Sequence, residues 1–218
     1  MNSQNCSVIS KSNTFVAEIN QQPIAKNDTT ITAYLSPVSF NILSNDKDND
    51  GSINTNTVNF NVKSKILQQT IYQKDTGLFV VDEVGKLTFT PDKNFTGTAI
   101  LNYNVLDNTL NVSNTALVII HTGPMLINDY KSVLNNNTST IQILTNDISL
   151  NGINPTSIDL DPFTMGIQTR IVKNNIGTYQ TNENGLLIFT AFADTSITDS
   201  IYYSIKDIYG HSQTLPRL

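Results

Sequence analysis

The sequence of 218 residues predicts an all-β protein that consists of two β-sandwich domains in tandem. Asn, Thr, Ser and Ile are abundant, and Ile and Thr favour strands over helices. Short segments alternate apolar and polar residues, whereas no segment sustains a helical period. The sequence also repeats itself once, and its length suits two domains of about a hundred residues each.

The repeat is visible as motifs that return at a constant distance. Residues 23–28 (PIAKND) return 101 residues later as 124–129 (PMLIND), and residues 42–46 (ILSND) return as 143–147 (ILTND). After one deletion the spacing becomes 100 residues, as shown by Ile53 and Ile153, Gly77 and Gly177, Gly85 and Gly185, Phe89 and Phe189, Tyr103 and Tyr203, and Asp107 and Asp207. So many matches with a single gap indicate two homologous domains.

We therefore predict repeat 1 at residues 23–122 and repeat 2 at residues 123–218, with a short linker near 121–124. Residues 1–22 contain a second copy of the motif that precedes Pro124, so residues 12–20 are expected to be the closing strand of a preceding repeat. At the other end, the corresponding strand of repeat 2 would begin at Ser212 and contain Pro216. This pattern suggests a segment of a longer array.

Alternation of apolar residues predicts the strands of repeat 1 in order, at residues 38–43, 57–73, 78–81, 87–89, 100–105 and 116–120. Turn signals separate them, namely Asp50-Gly51, Thr76-Gly77, Val84-Gly85 and residues 91–97. The segment 57–73 is interpreted as one bent strand. The expected core residues are Val38, Ile42, Leu87, Phe89, Tyr103 and Val105 in repeat 1, and Ile143, Leu187, Phe189, Tyr203 and Ile205 in repeat 2. Tyr103 and Tyr203 are expected to be corner tyrosines.

Four motifs of repeat 1 carry a family resemblance: residues 23–28, 42–51 (ILSNDKDNDG), 85–97 (GKLTFTPDKNFTG) and 103–107 (YNVLD). On these motifs the chain resembles the cadherin-like and immunoglobulin-like tandem repeats of large bacterial surface proteins and adhesins. The resemblance implies Ig-like (cadherin-like) Greek-key sandwiches of seven strands, arranged end to end. It also implies frequent stiffening by calcium and display outside the cell as stalks or adhesive filaments. It brings no catalytic residues.

The second copy of the motifs is degenerate. Ala191 stands at the position of Pro91, and the equivalents of Asp48 and Asp50 are absent. The resemblance is therefore closer for residues 23–120 than for residues 124–215.

The strongest candidate for a binding site is the acidic loop that contains Asp46, Asp48 and Asp50. Three carboxylates within five residues repel one another unless a cation or water lies between them. Calcium suits such a loop because it takes 6 to 8 oxygen ligands. The loop is not an EF-hand, since Gly51 fits position six but Thr57 stands at position twelve, where Glu is required. Alternatively, the aspartates accept local backbone N–H groups in a solvated turn.

Strand order predicts that further aspartates join this loop. With 57–73 counted as one strand, three acidic segments share one pole of each sandwich, whereas a hairpin in that segment would separate them. The candidate calcium ligands are Asp28, Asp46, Asp48, Asp50 and Asp107 in repeat 1, with Asp129, Asp147 and Asp207 as a weaker set in repeat 2. The repeat 2 set would face repeat 1 across the linker. For these three aspartates, the preferred interpretation is that each one caps a turn.

Composition argues against several other functions. The net charge is −5 without a cluster of Lys and Arg, which disfavours nucleic-acid binding. No apolar run approaches the roughly 18 residues of a membrane span, and the first ten residues do not form a secretory signal. The single Cys6 excludes an internal disulfide framework. Since His121 and His211 are the only histidines and lie beside no nucleophile motif, no enzyme is predicted.

The predicted function is that of a structural or adhesive segment of a long extracellular protein, acting as a spacer or stalk. Its expected partners are neighbouring repeats of the same protein, with a surface glycan or protein ligand as a further candidate. One alternative is a carbohydrate-binding module that uses exposed rings of Tyr130, Phe163 or Tyr209, although the chain has no Trp. Another is a filament in which residues 14–19 of one molecule complete repeat 2 of the next. Fraying of both chain ends is the simpler expectation.

Overall fold

The computed structural model describes residues 20–134, 137–192 and 198–214, and every regular element in these residues is a strand. Repeat 1 contains β1 (Asp28–Thr32), β2 (Val38–Asn41), β3 (Ile53–Asn59), β4 (Thr70–Gln73), β5 (Gly77–Val81), β6 (Lys86–Pro91), β7 (Gly97–Asp107) and β8 (Ala116–Thr122). Repeat 2 contains β9 (Thr138–Gln142), β10 (Ile153–Asp159), β11 (Arg170–Lys173), β12 (Gly177–Thr181), β13 (Leu186–Ala191), β14 (Ser204–Asp207) and β15 (Ser212–Thr214). The described part of the chain offers no helix that could cross a membrane.

Repeat 1 is a sandwich of two four-stranded sheets with the orders β1-β8-β7-β3 and β2-β6-β5-β4. The first strand runs parallel to β8, and the other pairs are antiparallel. Along β8 every second residue is buried, as expected for a strand with one face on a core. The predicted all-β sandwich is confirmed, and both sheets contribute to one apolar cluster.

The predicted core residues lie in two separate clusters, one in each repeat. Ile42, Leu87, Phe89, Tyr103 and Val105 are fully buried in repeat 1. Their matches are also buried, except that Phe189 is only partly buried, as is Val38 in repeat 1. Each repeat therefore has its own hydrophobic core.

The interpretation of 57–73 as one bent strand is wrong. The segment contains the end of β3, which pairs with β7, and the whole of β4, which pairs with β5 in the opposite sheet. The Asn59 side chain holds the connecting loop, since its Oδ1 accepts N–H groups of Asn61 and Gln68 and its Nδ2 donates to Ser64 O. Repeat 1 thus has eight strands instead of seven, and β3 and β4 do not form a hairpin.

Repeat 2 keeps this plan, but in its described residues the sheet that corresponds to β1-β8-β7-β3 has three strands. Its two sheets have the orders β11-β12-β13-β9 and β10-β14-β15. Residues 129–134, which correspond to β1, are not in a strand. The proposed donor strand 14–19 and Pro216 lie outside the described residues, as does Cys6.

Glycine is required at the start of β5 because the backbone of β6 passes very close to it. Gly77 has φ +148°, and a Cβ added there would overlap the carbonyl oxygen of Thr90. The matching Gly177 would meet Thr190 O in the same way. This close approach accounts for the glycine at the same place in both repeats.

Candidate functional site: acidic pole and domain joint

In repeat 1, Asp28 and Asp46 meet around the hydroxyl group of Tyr103. The hydroxyl oxygen lies 3.2 Å from Asp28 Oδ2 and 3.0 Å from Asp46 Oδ2. Burial, opposed by the Tyr103 hydrogen bond and assisted by the charge of Asp46, raises the pKa of Asp28 to about 7. Burial also raises the pKa of Asp46, against the effect of the N–H group of Lys26. The two predicted ligands do come together, but a tyrosine hydroxyl lies between them.

Tyr103 is a fully buried residue whose hydroxyl contacts distant parts of the chain, so it is not a corner tyrosine. Its hydroxyl lies 3.0 Å from Ile42 O and 3.1 Å from Lys26 O. These carbonyl groups are 61 and 77 residues earlier in the sequence, whereas a corner tyrosine bonds to backbone only a few residues upstream. The side chain therefore ties β7 to the end of β2 and to the segment that leads into β1.

Asp107 caps the turn that follows β7. Its Oδ1 accepts the N–H groups of Thr109 (2.7 Å) and Asn111 (2.9 Å), and its Oδ2 accepts Nδ2 of Asn20 (2.7 Å). Burial would raise the pKa of Asp107, but the hydrogen bonds from Asn111, Asn20 and Thr109 together hold it well below its usual range. Because donors already occupy both oxygens, Asp107 does not fit a calcium ligand in this arrangement.

Asp48 and Asp50 form a separate group at the same pole. Asp50 Oδ2 accepts the N–H group of Gln21 at 2.8 Å. Asp48 Oδ2 is buried and accepts no hydrogen bond. A Cβ added at Gly51 would lie 2.6 Å from this oxygen and 2.5 Å from Asn108 Oδ1. An unpartnered carboxylate oxygen and an amide oxygen thus flank one small gap, which only glycine leaves open.

Sequence reasoning missed Asn108 because it considered carboxylates alone. The residue directly follows Asp107, and its Oδ1 also accepts the N–H group of Ser52 at 3.1 Å. Repeat 2 has Ile208 at this position. The asymmetry between the repeats, already visible at Asp48 and Asp50, therefore extends to the turn after β7.

The eight predicted ligands consequently fall into separate groups. Within the described residues, no three His, Cys, Asp or Glu side chains are arranged as a metal-ligand set. In repeat 2, Tyr203 lies between Asp129 and Asp147 as Tyr103 does in repeat 1. Asp207 accepts N–H groups of Tyr209 and His211 and, at 2.7 Å, Nδ1 of His211. Donors therefore already occupy both oxygens of Asp207, whereas Asp129 and Asp147 share the Tyr203 hydroxyl.

The loop between β9 and β10 and the turn after β14 contact the base of repeat 1. Asn151 lies at the centre of this joint, since its Oδ1 accepts Thr98 Oγ1 (3.2 Å) and its Nδ2 donates to Thr122 O (3.4 Å) and Asp207 Oδ2 (2.9 Å). Leu150 packs on Gly97, where an added Cβ would lie 2.9 Å from the Leu150 Cβ. The repeats are thus joined by direct side-chain contacts.

Three aromatic rings complete the joint. His121 stacks on His211 with ring centroids 5.2 Å apart and an angle of 19° between the planes, and Tyr209 lies 5.3 Å from His121. Burial and the nearby His211 lower the pKa of His121, while the charge of Asp207 opposes this effect. The linker is therefore shorter than expected, because residues 121 and 122 belong to β8 and to the joint.

The three aromatic residues proposed as sugar-binding platforms do not contact one another. Tyr130 and Phe163 are exposed, and Phe163 packs edge-on against Tyr202. Tyr209 is exposed on one side but belongs to the joint. No feature of these rings favours sugar binding over simple exposure.

Comparisons with known proteins agree with the tandem architecture. Residues 20–121 and 122–215 each match a family model described as a bacterial Ig domain. No curated protein matches the chain. Solved structures with detectable similarity include the N-terminal eight Ig domains of Down syndrome cell adhesion molecule, with 11% identity over 89% of this chain and 27% of that chain and a TM-score of 0.45.

Two cadherin structures show comparable similarity. The human desmocollin-1 ectodomain has 11% identity over 91% of this chain and 36% of that chain, with a TM-score of 0.32. Drosophila N-cadherin EC1-4 has 14% identity over 90% of this chain and 50% of that chain, with a TM-score of 0.33. The present chain thus spans half or less of the length of these three structures.

Proposed function

The chain belongs to the bacterial Ig domain family, and from this premise we propose that its two domains form a stiff, non-enzymatic spacer in a long protein on the cell surface. The spacer would hold an adhesive part of that protein away from the cell. Its immediate partners would be neighbouring repeats of the same protein. The observation that supports this proposal best is the joint centred on Asn151.

A spacer transmits force and orientation only if its domains do not rotate freely. Relative motion of neighbouring domains is the default, so stiffness has to come from contacts across the joint. Asn151 bonds to two residues of repeat 1, and His121 stacks on His211. Within repeat 1, β7 runs from this joint at Gly97 to the acidic pole at Asp107. Load applied at one pole would therefore pass along a single strand to the other.

Small-angle X-ray scattering of the 218-residue chain tests stiffness. We expect one relative orientation of the two domains to fit the scattering curve, together with residual dipolar couplings that share one alignment tensor. Domains that require separate tensors and a broad set of orientations would contradict the spacer proposal. The result does not depend on any metal ion.

We further propose that calcium stiffens the acidic pole of repeat 1 through Asp48, Asp50 and Asn108. The buried, unpartnered Asp48 Oδ2 and the gap at Gly51 support this assignment, and all three side chains offer the oxygen atoms that calcium prefers. Bound calcium would neutralise the repulsion between the carboxylates. The chain's own contribution is to hold Asp48 and Asn108 in place by the loop after β2 and the turn after β7.

Calcium is therefore expected to raise the unfolding temperature of repeat 1. At a calcium concentration of a hundred times the dissociation constant, the gain in unfolding free energy is about 2.7 kcal/mol. Thermal unfolding is measured with calcium and with a chelator, using NMR signals that report each repeat. Repeat 2 is the internal control because it lacks equivalents of Asp48 and Asp50.

The double variant Asp48→Asn, Asp50→Asn should lose the calcium response while it keeps the fold. Asp75→Asn, a change of the same kind at an exposed turn, should keep the response. If calcium did not change the unfolding temperature of the wild-type chain, Asp48 and Asp50 would be turn residues and not calcium ligands.

A further inference from the structure

Asn151, which lies at the centre of the joint, is followed by a glycine. The sequence contains one other Asn-Gly pair, Asn184 and Gly185. The backbone nitrogen after an asparagine can attack the side-chain amide, and glycine permits a close approach because it has no Cβ. This reaction, deamidation, turns the neutral amide into a carboxylate. The joint therefore contains a residue that is chemically able to change its charge without an enzyme.

The two Asn-Gly pairs share a backbone setting, so they can be compared directly. Their glycines have φ values of +82° and +77°, and each glycine N–H group donates to a carbonyl oxygen at 3.1 Å. The asparagines differ, because Asn184 is exposed whereas Asn151 is half-buried. The amide of Asn151 also bonds to Thr98 and Thr122 of repeat 1 and to Asp207. The joint thus restrains the Asn151 amide beyond what its own turn does.

Deamidation requires freedom that the closed joint denies to this amide. Attack makes the Cγ atom of Asn151 tetrahedral, so Oδ1 and Nδ2 leave the plane in which an amide forms its hydrogen bonds. Nδ2, the atom that has to depart, is the one that donates to Asp207 Oδ2 at 2.9 Å. Oδ1 is held by the hydroxyl group of Thr98 at 3.2 Å. The reaction therefore has to wait until the joint opens.

The product of deamidation does not fit the closed joint either. Nδ2 of Asn151 donates to Asp207 and to Thr122 O, whereas a carboxylate has no proton to donate. An aspartate at position 151 would place its lone pairs against those of both acceptors. Asp207 is held in place, because its other oxygen accepts the backbone N–H groups of Tyr209 and His211. The reaction would therefore replace hydrogen bonds with repulsion.

We propose that Asn151 is a deamidation site that the closed joint protects and the open joint exposes. The Gly152 nitrogen loses its proton to solvent and forms a bond to Cγ of Asn151. The bond between Cγ and Nδ2 breaks, and Nδ2 takes up a proton and leaves as ammonia. Water then opens the succinimide ring and leaves aspartate or isoaspartate. Opening of the joint thus leads to a covalent change that prevents it from closing again.

Mass spectrometry of peptides from the 218-residue chain, incubated at neutral pH, measures deamidation at each site. For each asparagine, the protection is the rate in urea, where both repeats are unfolded, divided by the rate in the folded chain. We expect the protection of Asn151 to exceed that of Asn184 by roughly tenfold or more, because only the open fraction of the joint reacts. Equal protection in a chain whose domains share one alignment tensor would overturn this inference and leave the spacer proposal standing.

Thr98→Val tests the protection without changing residues 150–152. It removes the hydroxyl group that donates to Asn151 Oδ1. The rate at Asn151 should rise by about fivefold, the factor that corresponds to the loss of one hydrogen bond, while the rate at Asn184 stays the same. Thr90→Val, the same change at an exposed position of β6, should alter neither rate. An unchanged rate at Asn151 in Thr98→Val would contradict protection by the joint.

Asn151→Asp reproduces the direct product and tests its effect on the joint. Spin-label distances between the repeats should be more broadly distributed than in the wild-type chain. Adding Asp207→Asn exchanges the two groups, so that one amide again donates to one carboxylate, and the distribution should narrow. Asn184→Asp is the matched control and should behave as the wild-type chain. If Asn151→Asp kept the narrow distribution, the deamidated joint would close normally and the proposed irreversible opening would be refuted.

Discussion

Leu87→Ala is expected to lower the unfolding free energy of repeat 1 by about 2–5 kcal/mol and to leave repeat 2 unchanged. Leu87 is fully buried in β6 and belongs to the cluster that contains Ile42 and Phe79. Removing its side chain leaves a cavity that the surrounding strands fill only in part. The two cores share no residue, so the loss should remain within one domain.

Urea unfolding followed by NMR signals of each repeat measures this effect. The matched variant Leu187→Ala should destabilise repeat 2 alone, because Leu187 is 5% exposed and lies in the second core. Val84→Ala, at an exposed position of repeat 1, should change stability by less than about 0.5 kcal/mol. If Leu87→Ala lowered both transitions equally, the repeats would be one cooperative unit and the predicted domain division would fail.

The sequence allowed prediction of those features that depend on local pattern. Alternation of apolar residues predicted that Leu87 and Val105 lie in the core. The repeat predicted that Tyr103 and Tyr203 occupy equivalent buried positions. It did not reveal that the chain changes sheets between β3 and β4. The Asn59 side chain holds the connecting loop by hydrogen bonds to Ser64 and Gln68, and such bonds leave no mark on hydrophobic periodicity.

The acidic residues illustrate a different limit. Strand order carries no information about which donors reach Asp28, Asp46 and Asp107. The carboxylate oxygens of Asp107 accept hydrogen bonds from N–H groups of its own turn and from Asn20. The carboxylate of Asp46 instead contacts the hydroxyl of Tyr103, which comes from a distant strand. Whether an aspartate can bind a cation depends on these partners, and they are set by packing.

At the joint, the repeated motifs included Asp207 but gave no indication of Asn151. Asn151 lies beside the single deletion in the repeat, and its partners in repeat 1 are 53 and 29 residues earlier. Contacts between residues so far apart in the sequence cannot be inferred from the periodicity of a helix or a strand. The histidines likewise looked isolated, because His121 and His211 come together only when the two domains are in contact.

Asn151→Ala is therefore expected to release the joint without unfolding either domain. The change removes the hydrogen bonds to Thr98 and Thr122 of repeat 1, at a cost of about 1–3 kcal/mol to the closed arrangement. This corresponds to a roughly five- to 150-fold increase in the ratio of open to closed joints. The contacts that remain are the hydrogen bond from Leu150 N–H to Thr96 Oγ1, the packing of Leu150 on Gly97 and the stacked rings.

Residual dipolar couplings and spin-label distances between the repeats measure this release. In Asn151→Ala the two domains should no longer share one alignment tensor, and the distance distribution should broaden, while urea unfolding shows that both domains keep their fold. Asn184→Ala in the exposed turn after β12 is the matched control and should behave as the wild-type chain. A narrow distribution in Asn151→Ala would mean that ring stacking and Leu150 suffice to hold the domains. In that case stiffness would depend on apolar contact, and the hydrogen bonds of Asn151 would only set the angle at which the two sandwiches meet.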